Sequence, residues 1–206
     1  FYGSPEWNAT MDHARSHIAR TVVQTMEPAL NMTGDSLRRG PGKACQLRIY
    51  TINRGMIEPW VNFHTGTIVP LQEKLGIKIE GSWVNEDHNQ YIWIRSFANQ
   101  EDVKTKETAF YGSPEWTAVM DHARGHIARM DIQTMEPELY PLKRGDGKSC
   151  QLRIYTINRG MMEPWVKFHT ETSVPLHEKL GIRVEGSWVN EDNNQYIWIR
   201  TFADKA

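Results

Sequence analysis

Cysteine, surplus charge and long apolar runs are all scarce in this sequence of 206 residues. The two cysteines, Cys45 and Cys150, occupy equivalent positions of an internal repeat, so we interpret them as a small residue kept twice and expect a reducing, cytoplasmic setting. With 24 basic and 25 acidic residues, the chain has no charge excess that would favour nucleic acid as a partner. Its apolar runs fall far short of the roughly 20 residues that a membrane span needs.

What the sequence contains instead is a long internal repeat. Residues 45–97 return at 150–202 with 44 identities in 53 positions, and residues 1–30 return at 110–139 with 23 identities in 30. Copies this similar predict one fold built twice, with two near-equivalent sites rather than a single central cavity.

The order of the repeated pieces is that of a circular permutation. One complete unit spans 45–139, a second is formed by 150–206 together with 1–30, and the linkers are 31–44 and 140–149. Because "LRRGPGKAC" before the complete unit matches "LKRGDGKSC" between the units, we interpret Met32 as the original start. The chain is then either an engineered permutant or two fragments numbered as one, and its two ends are expected to lie close together. The segment without a copy, 102–109, is polar and lysine-rich and predicts a mobile loop.

Each unit is predicted to have the order β-α-β-β-α-β, which is ferredoxin-like and of the α+β class. Pro70 is expected to kink or interrupt the first helix. The helices cover one sheet face, so the bare faces of two units are expected to pack together within one chain. The predicted elements are a strand at 46–53, a helix at 56–75, strands at 77–85 and 90–97, a helix from Ser113 to about Ile127, and a strand at 131–136.

Four stretches carry a resemblance to a known family: "LRIYT", "PWVNFHTGTIVPLQEKLGIKIEGSW", "YIWIRSF" and "SPEWTA". In this order they resemble the NIPSNAP family of the dimeric α+β-barrel superfamily. The resemblance implies two ferredoxin-like units that form one barrel, here as a pseudo-dimer within the chain. The superfamily includes cofactor-free monooxygenases, lyases, isomerases, haem enzymes and proteins without known activity, so the fold implies little about the reaction.

His64 and His169 are the first candidate catalytic residues. Each lies on the apolar stripe of the first predicted helix of its unit, where an imidazole could act as a general base near neutral pH. The alternative is a core histidine that is hydrogen-bonded to a tyrosine or to a backbone carbonyl.

A second candidate group combines arginines and aromatic rings on two neighbouring strands. Such a patch could bind a carboxylate or enolate of an aromatic substrate. The alternative is an interface between sheets, in which the arginines pair with Glu80, Glu136 or their counterparts. The group consists of Arg48, Tyr50, Tyr91, Trp93 and Arg95, with the equivalents Arg153, Tyr155, Tyr196, Trp198 and Arg200.

Histidines four residues apart, as in His13 with His17 and His122 with His126, have a spacing that zinc can use. No third ligand follows locally, so we interpret them as a solvated or interface face of a helix and expect no metal. "RGPGK" and "RGDGK" are too short for a phosphate loop, and no cofactor is expected.

Together these features predict a cofactor-independent enzyme of the lyase or isomerase type, of the kind found in bacterial specialised metabolism. His64 and His169 would be the acid or base, Tyr50 and Tyr155 would share proton transfer, and the arginines and remaining rings would bind substrate. The expected partner is a small aromatic or carboxylate-bearing molecule, and a further homodimer is compatible with the sequence. The alternatives are a cofactor-free monooxygenase and a non-catalytic binding or scaffolding protein.

Overall fold

The computed structural model describes residues 8, 10, 12, 14–29, 43–138 and 149–202. The chain divides into a central unit, Met26–Met135, and a split unit, formed by Phe1–Thr25 and Glu136–Ala206. The repeat-based boundaries stay a prediction. The chain ends, Met32 and most of both linkers lie outside the described residues, so the predicted permutation stays a prediction as well.

The central unit follows the ferredoxin-like order, with one additional helix before the last predicted one. A π-helical turn, His64–Ile68, joins its first two helices. Strand β1 (Ile18–Pro28) begins in the split unit and ends in the central unit. The remaining elements are β2 (Ala44–Ile52), α1 (Ile57–Phe63), α2 (Val69–Lys74), β3 (Lys78–Asn85), β4 (Gln90–Phe97), α3 (Gln100–Tyr111), α4 (Pro114–His126) and β5 (Ile127–Pro137), whose last two residues belong to the split unit.

The split unit repeats this pattern. Residues 8, 10, 12, 14 and 15 are helical and precede β1. A second π-helical turn, His169–Ser173, corresponds to the one in the central unit. The other elements are β6 (Ser149–Ile157), α5 (Met162–Phe168), α6 (Val174–Lys179), β7 (Arg183–Asn190) and β8 (Gln195–Phe202).

Both sheets are antiparallel and have the same strand order. In the central unit the order is β5, β2, β4, β3, and in the split unit it is β1, β6, β8, β7. Tyr50 pairs with Tyr91 and Arg48 with Trp93, so these four side chains share one sheet face, as predicted. Helices α1 and α3 pack on β4 and cover that face. The predicted α+β fold with ferredoxin-like units is confirmed.

The first predicted helix is interrupted, as expected from its proline. Pro70 has no N–H group, and its ring crowds the carbonyl of the preceding turn. The chain widens into the π-helical turn just before this position, and α2 then begins at Val69. The turn begins at His64, so the interruption lies where the candidate histidine enters the core.

The prediction of a mobile loop at 102–109 is wrong, because this segment forms most of α3. Its lysine, glutamate and threonine residues are polar but compatible with a helix, and Asn99 caps it by accepting a hydrogen bond from the Asp102 backbone N–H at 2.9 Å. Lys106 pairs with Asp102 one turn away at 2.7 Å. The helix buries Val103 and Phe110, so its polar composition reflects a solvated face rather than a loop.

Within the described residues, no helix is both long and apolar enough to cross a membrane.

Candidate active site

A cavity of about 440 Å³ lies in the central unit between the helices and the covered sheet face. This volume is within the range of about 300 to 1,000 Å³ that is typical of small-molecule sites. Strands β2 and β4 contribute Arg48, Tyr50 and Trp93, and the first helical segment contributes Trp60 and His64. Four of the six sequence-predicted residues of the central unit therefore meet at one cavity, whereas Tyr91 and Arg95 do not line it.

Arg48 is a buried cation that lines this cavity, and only 3 % of its surface is exposed. Its Nε donates to the Tyr50 hydroxyl oxygen at 2.7 Å, and its two Nη atoms donate to Gln46 Oε1 at 3.0 Å and to the Tyr111 hydroxyl oxygen at 3.2 Å. All three acceptors are neutral, so the guanidinium is well oriented but keeps its charge. Such a group is suited to binding an anion.

Arg95 is fully buried behind Arg48 and has the closer carboxylate. Its Nε donates to Gln46 Oε1 at 2.9 Å, its Nη1 donates to Gln72 Oε1 at 3.2 Å, and its Nη2 forms an ion pair with Glu107. Burial and the neighbouring Arg48 lower the pKa of Arg95. Arg95 thus has the contacts of a residue that holds the network together.

One carboxylate serves both guanidinium groups. Glu107 Oε1 lies 3.7 Å from Arg48 Nη1 as well as being paired with Arg95. Glu80, which the interface alternative offered as a partner of these arginines, accepts a hydrogen bond from Ser96 Oγ through its Oε1. Among the described residues the site therefore has two buried positive charges against one negative charge, which favours an anionic ligand.

His64 is fully buried at the start of the π-helical turn and lines the cavity. Its Nδ1 lies 2.9 Å from the Tyr91 hydroxyl oxygen, and its ring centroid lies 4.7 Å from that of Trp93. Its Nε2 has no hydrogen-bond partner among the described residues. The core-histidine alternative named a tyrosine contact of this kind, but an unpartnered Nε2 beside a cavity is the feature expected of a reactive histidine.

The electrostatic environment keeps His64 neutral. Burial, followed by the charges of Arg48 and Arg95, lowers the pKa of His64 from 6.5 to about 3. Burial also raises the pKa of Tyr91, so this phenol stays protonated. A neutral imidazole can accept a proton, but in the empty site its basicity is low.

The split unit repeats the arginine–tyrosine contact and the histidine–tyrosine contact of the central unit. Arg153 Nε donates to the Tyr155 hydroxyl oxygen at 2.8 Å, and His169 Nδ1 lies 2.9 Å from the Tyr196 hydroxyl oxygen. His169 is fully buried and lies beside the Trp198 ring at 4.8 Å between centroids. Its cavity, however, measures only about 20 Å³.

Two substitutions change the wall of the split-unit site. Ser173 replaces Ile68, and His177 replaces Gln72. His177 Nδ1 donates to the Ser173 carbonyl at 2.7 Å, so its Nε2 accepts from Arg200 Nη1 at 3.0 Å. Burial is the main cause that lowers the pKa of His177 to about 4, and Arg200 lowers it further.

The pKa of His169 is lowered to about 3 by burial, by His177 and by Arg153. The split unit therefore keeps the neutral histidine of the central unit, but in a more polar and smaller cavity.

Sequence reasoning missed four residues of the central site: Gln46, Gln72, Glu107 and Tyr111. Glu107 and Tyr111 are one turn apart on α3, the helix that was predicted to be a loop. The signal was present, because two buried arginines require a carboxylate and this segment supplies one.

The histidine pairs do not form a metal site in the described residues. His122 and His126 pack ring to ring at 4.7 Å between centroids, beside Phe63, and His126 Nδ1 bonds the His122 carbonyl at 2.8 Å. His17 stacks on Phe168 in the split unit. His13 lies outside the described residues, and no cluster of three potential ligands occurs in the part of the chain that the structure describes.

Ferredoxin-like units with a polar site under the helices of each sheet define a protein of the dimeric α+β-barrel class. Two solved structures agree with this class over most of their length. A proposed monooxygenase from Lactobacillus acidophilus NCFM has 16% identity and a TM-score of 0.55, with 78% of this chain and 77% of that chain covered. A proposed monooxygenase from Fusobacterium nucleatum has 7% identity and a TM-score of 0.52, with coverages of 78% and 76%. At these identities the similarity shows the fold alone.

Within this class, the NIPSNAP family model matches residues 45–140, so the resemblance predicted from the sequence is confirmed for this part of the chain. A NIPSNAP domain protein from Burkholderia xenovorans has 11% identity and a TM-score of 0.45, and 48% of this chain and 99% of that chain are covered. No curated protein matches the chain by sequence.

Proposed function

We propose that the central unit binds a small organic anion and catalyses proton transfer on it without a cofactor, as a lyase or isomerase does. The observation that carries this proposal is the charge imbalance at the cavity: two buried guanidinium groups share Glu107, and the unpartnered Nε2 of His64 lies at the same cavity.

In this proposal, Arg48 binds the anionic group of the substrate. The Tyr111 hydroxyl is its most easily replaced partner, because Tyr111 is exposed and its hydrogen bond is the longest of the three. A carboxylate or enolate oxygen in its place would receive a charge-assisted hydrogen bond. Tyr50 accepts from Arg48, so its own hydroxyl proton remains available to a substrate oxygen.

His64 then acts as the base. The C–H bond next to a substrate carbonyl breaks, its proton moves to Nε2, and its electron pair moves onto the carbonyl oxygen as an enolate. Nδ1–H donates to the Tyr91 hydroxyl oxygen in this state, so Tyr91 is a positioning residue. Because the Arg48 charge contributes to the low pKa of His64, an anion bound to Arg48 raises that pKa and increases basicity when substrate is present. Return of the proton to a different carbon, or loss of a leaving group, completes an isomerisation or a lyase reaction.

His169, Tyr155 and Arg153 hold the equivalent positions in the split unit, but a cavity of about 20 Å³ has room for about one water molecule, so we assign turnover to the central unit. Trp93 and Trp198 form the apolar wall beside each histidine.

The test is exchange of substrate hydrogen for deuterium, followed by NMR on a panel of 3-oxo acids in heavy water. The variant His64→Asn with His169→Asn keeps an amide near each tyrosine but removes the base. We expect exchange to fall by about 10²–10⁴-fold while the melting temperature shows a folded protein. Unchanged exchange per folded molecule would refute the proposal, and binding without exchange in the native protein would indicate a binding protein.

A cofactor-free monooxygenase is the second candidate. Two proteins of the same fold are described as proposed monooxygenases, and the same base could form a substrate carbanion that reduces O₂. An oxygen electrode separates the two functions, since O₂ uptake that depends on substrate and on His64 supports the monooxygenase and its absence supports the lyase or isomerase. A reducing, cytoplasmic setting remains part of the proposal, supported by two buried thiols.

A further inference from the structure

The mouth of the central cavity carries two large apolar side chains that are exposed to solvent. Met130 is 54 % exposed and Ile132 is 49 % exposed, and both line the cavity that contains Arg48. Exposed apolar groups that continue a ligand cavity commonly mark a binding surface. We propose that the ligand of this site is an amphiphilic carboxylate, whose head group binds Arg48 and whose apolar tail lies on Met130 and Ile132. This inference rests on the anion-binding part of the proposed function.

The strand register places the residues for the head group next to the residues for the tail. Ile132 pairs with Arg48 and Met130 pairs with Tyr50, so the apolar pair lies on the same sheet face as the cation. Directly paired residues have Cβ atoms about 4.5–5.5 Å apart. Arg48 and Ile132 therefore start from paired positions on one face and line the same cavity, and a tail that extends along β5 reaches Met130 next.

Other residues of the cavity wall also favour a charged head group at Arg48 and an apolar tail beyond it. Trp60, Trp93 and Trp116 line the cavity, and they offer apolar surface to a tail or an aryl group. Arg124 and Arg129 also line the cavity, but both are exposed, and the Arg129 guanidinium pairs with Asp131 at 2.8 Å. Arg48 is thus the buried cation available to the head group, and the apolar surface extends from it in one direction.

The split unit provides a natural comparison. Thr21 and Val23 stand where the central unit has Met130 and Ile132. Both replacements are smaller, and threonine is also polar. We therefore expect ligands with longer tails to bind to the central unit, which has both the larger apolar surface and the larger cavity.

The experiment measures the affinity of the intact chain for the saturated carboxylates acetate, butanoate, hexanoate and octanoate, by calorimetry and by quenching of tryptophan fluorescence. We expect affinity to rise about threefold to fourfold for each methylene that reaches the rim, because that is the transfer free energy of a buried CH₂ group. Met130→Thr with Ile132→Ser should flatten this dependence. Arg48→Met should weaken all four carboxylates by about tenfold or more and leave the dependence on length unchanged.

Leu180→Thr is the matched control, since Leu180 is a comparably exposed apolar residue of the split unit that does not line the cavity. An affinity that is independent of chain length, or a dependence that survives the double rim variant, overturns the proposal. A rim variant that instead changes the sedimentation coefficient identifies the patch as a contact between copies, which also overturns it. Saturated carboxylates undergo no proton transfer at neutral pH, so failure of the catalytic proposal leaves this result intact, whereas absence of any carboxylate binding refutes the anion site common to both.

Discussion

Acid should destabilise this protein through two of its buried histidines, His64 and His169. His64 and His169 are fully buried and neutral, and their pKa values are lowered from 6.5 to about 3. In the unfolded chain each imidazole takes up a proton as the pH falls below 6.5, whereas in the folded protein it does so only near pH 3. The folded state is therefore unaffected above pH 6.5, and it loses stability progressively as the pH falls from 6.5 towards 3.

The size of the effect follows from these pKa values. Within this window each histidine costs about 1.4 kcal/mol per pH unit, which amounts to about 2 kcal/mol at pH 5. The two together remove about 4 kcal/mol, a large part of the roughly 5–15 kcal/mol that stabilises a typical domain.

The assay compares the native protein with the variant His64→Asn and His169→Asn in urea unfolding at about pH 7 and pH 5. Asparagine does not titrate, and its amide can still hydrogen-bond the facing tyrosine. The native protein should lose about 4 kcal/mol more than the variant over this interval. His88→Asn is the matched control, because the equivalent Asn193 has nearly the same backbone conformation, with φ of 53° against 50° for His88.

Parallel stability curves for the native protein and the double variant would refute this reasoning. They would mean that both histidines already bind a proton in the folded state at pH 5, and that the cavity is wetter than its burial indicates. The His88→Asn control should show the same loss of stability between pH 7 and pH 5 as the native protein. If it lost as little as the double variant, the effect would not be specific to His64 and His169.

Three further results are expected. Glu107→Gln should destabilise the protein by about 1–3 kcal/mol in urea unfolding, because two buried arginines lose their shared, partly exposed carboxylate. Added octanoate should restore part of this loss, and an unchanged urea midpoint would contradict the prediction. Gly81→Ala should lower the free energy of unfolding by about 1–3 kcal/mol, since a Cβ there would lie 2.7 Å from the buried Trp83 ring. A melting temperature equal to that of the native protein would show that the ring can move. Ser113→Ala should cost about 1 kcal/mol by removing the cap of α4, measured as a lower melting temperature.

Much of the candidate site could be predicted from the sequence because it depends on strand periodicity. Arg48 and Tyr50 are two residues apart, as are Tyr91 and Trp93, so alternation alone puts each pair on one face. His64 was predictable from its place on the apolar stripe of a helix. The equivalent residues of the split unit then follow from the alignment of the two repeats.

The contacts that give the site its character were not predictable in the same way. Glu107 lies on α3, far from Arg48 along the chain. The polar composition of that helix is also typical of a loop. The pairing of Glu107 with the arginines depends on how α3 packs on the sheet, which no local pattern encodes.

The sequence by itself determined the repeat, through the identity of its two copies. It also determined the ferredoxin-like order, the sheet face that carries the arginines and tyrosines, and the helix stripe that carries the histidines, because these follow from periodicities of two or about 3.6 residues along the chain. Only the tertiary structure decided that His64 is neutral, that two arginines share one carboxylate, and that the central cavity is far larger than that of the split unit. These properties depend on burial and on distances between residues far apart in the chain. They are set when the helices pack on the sheet and exclude water from the space between them.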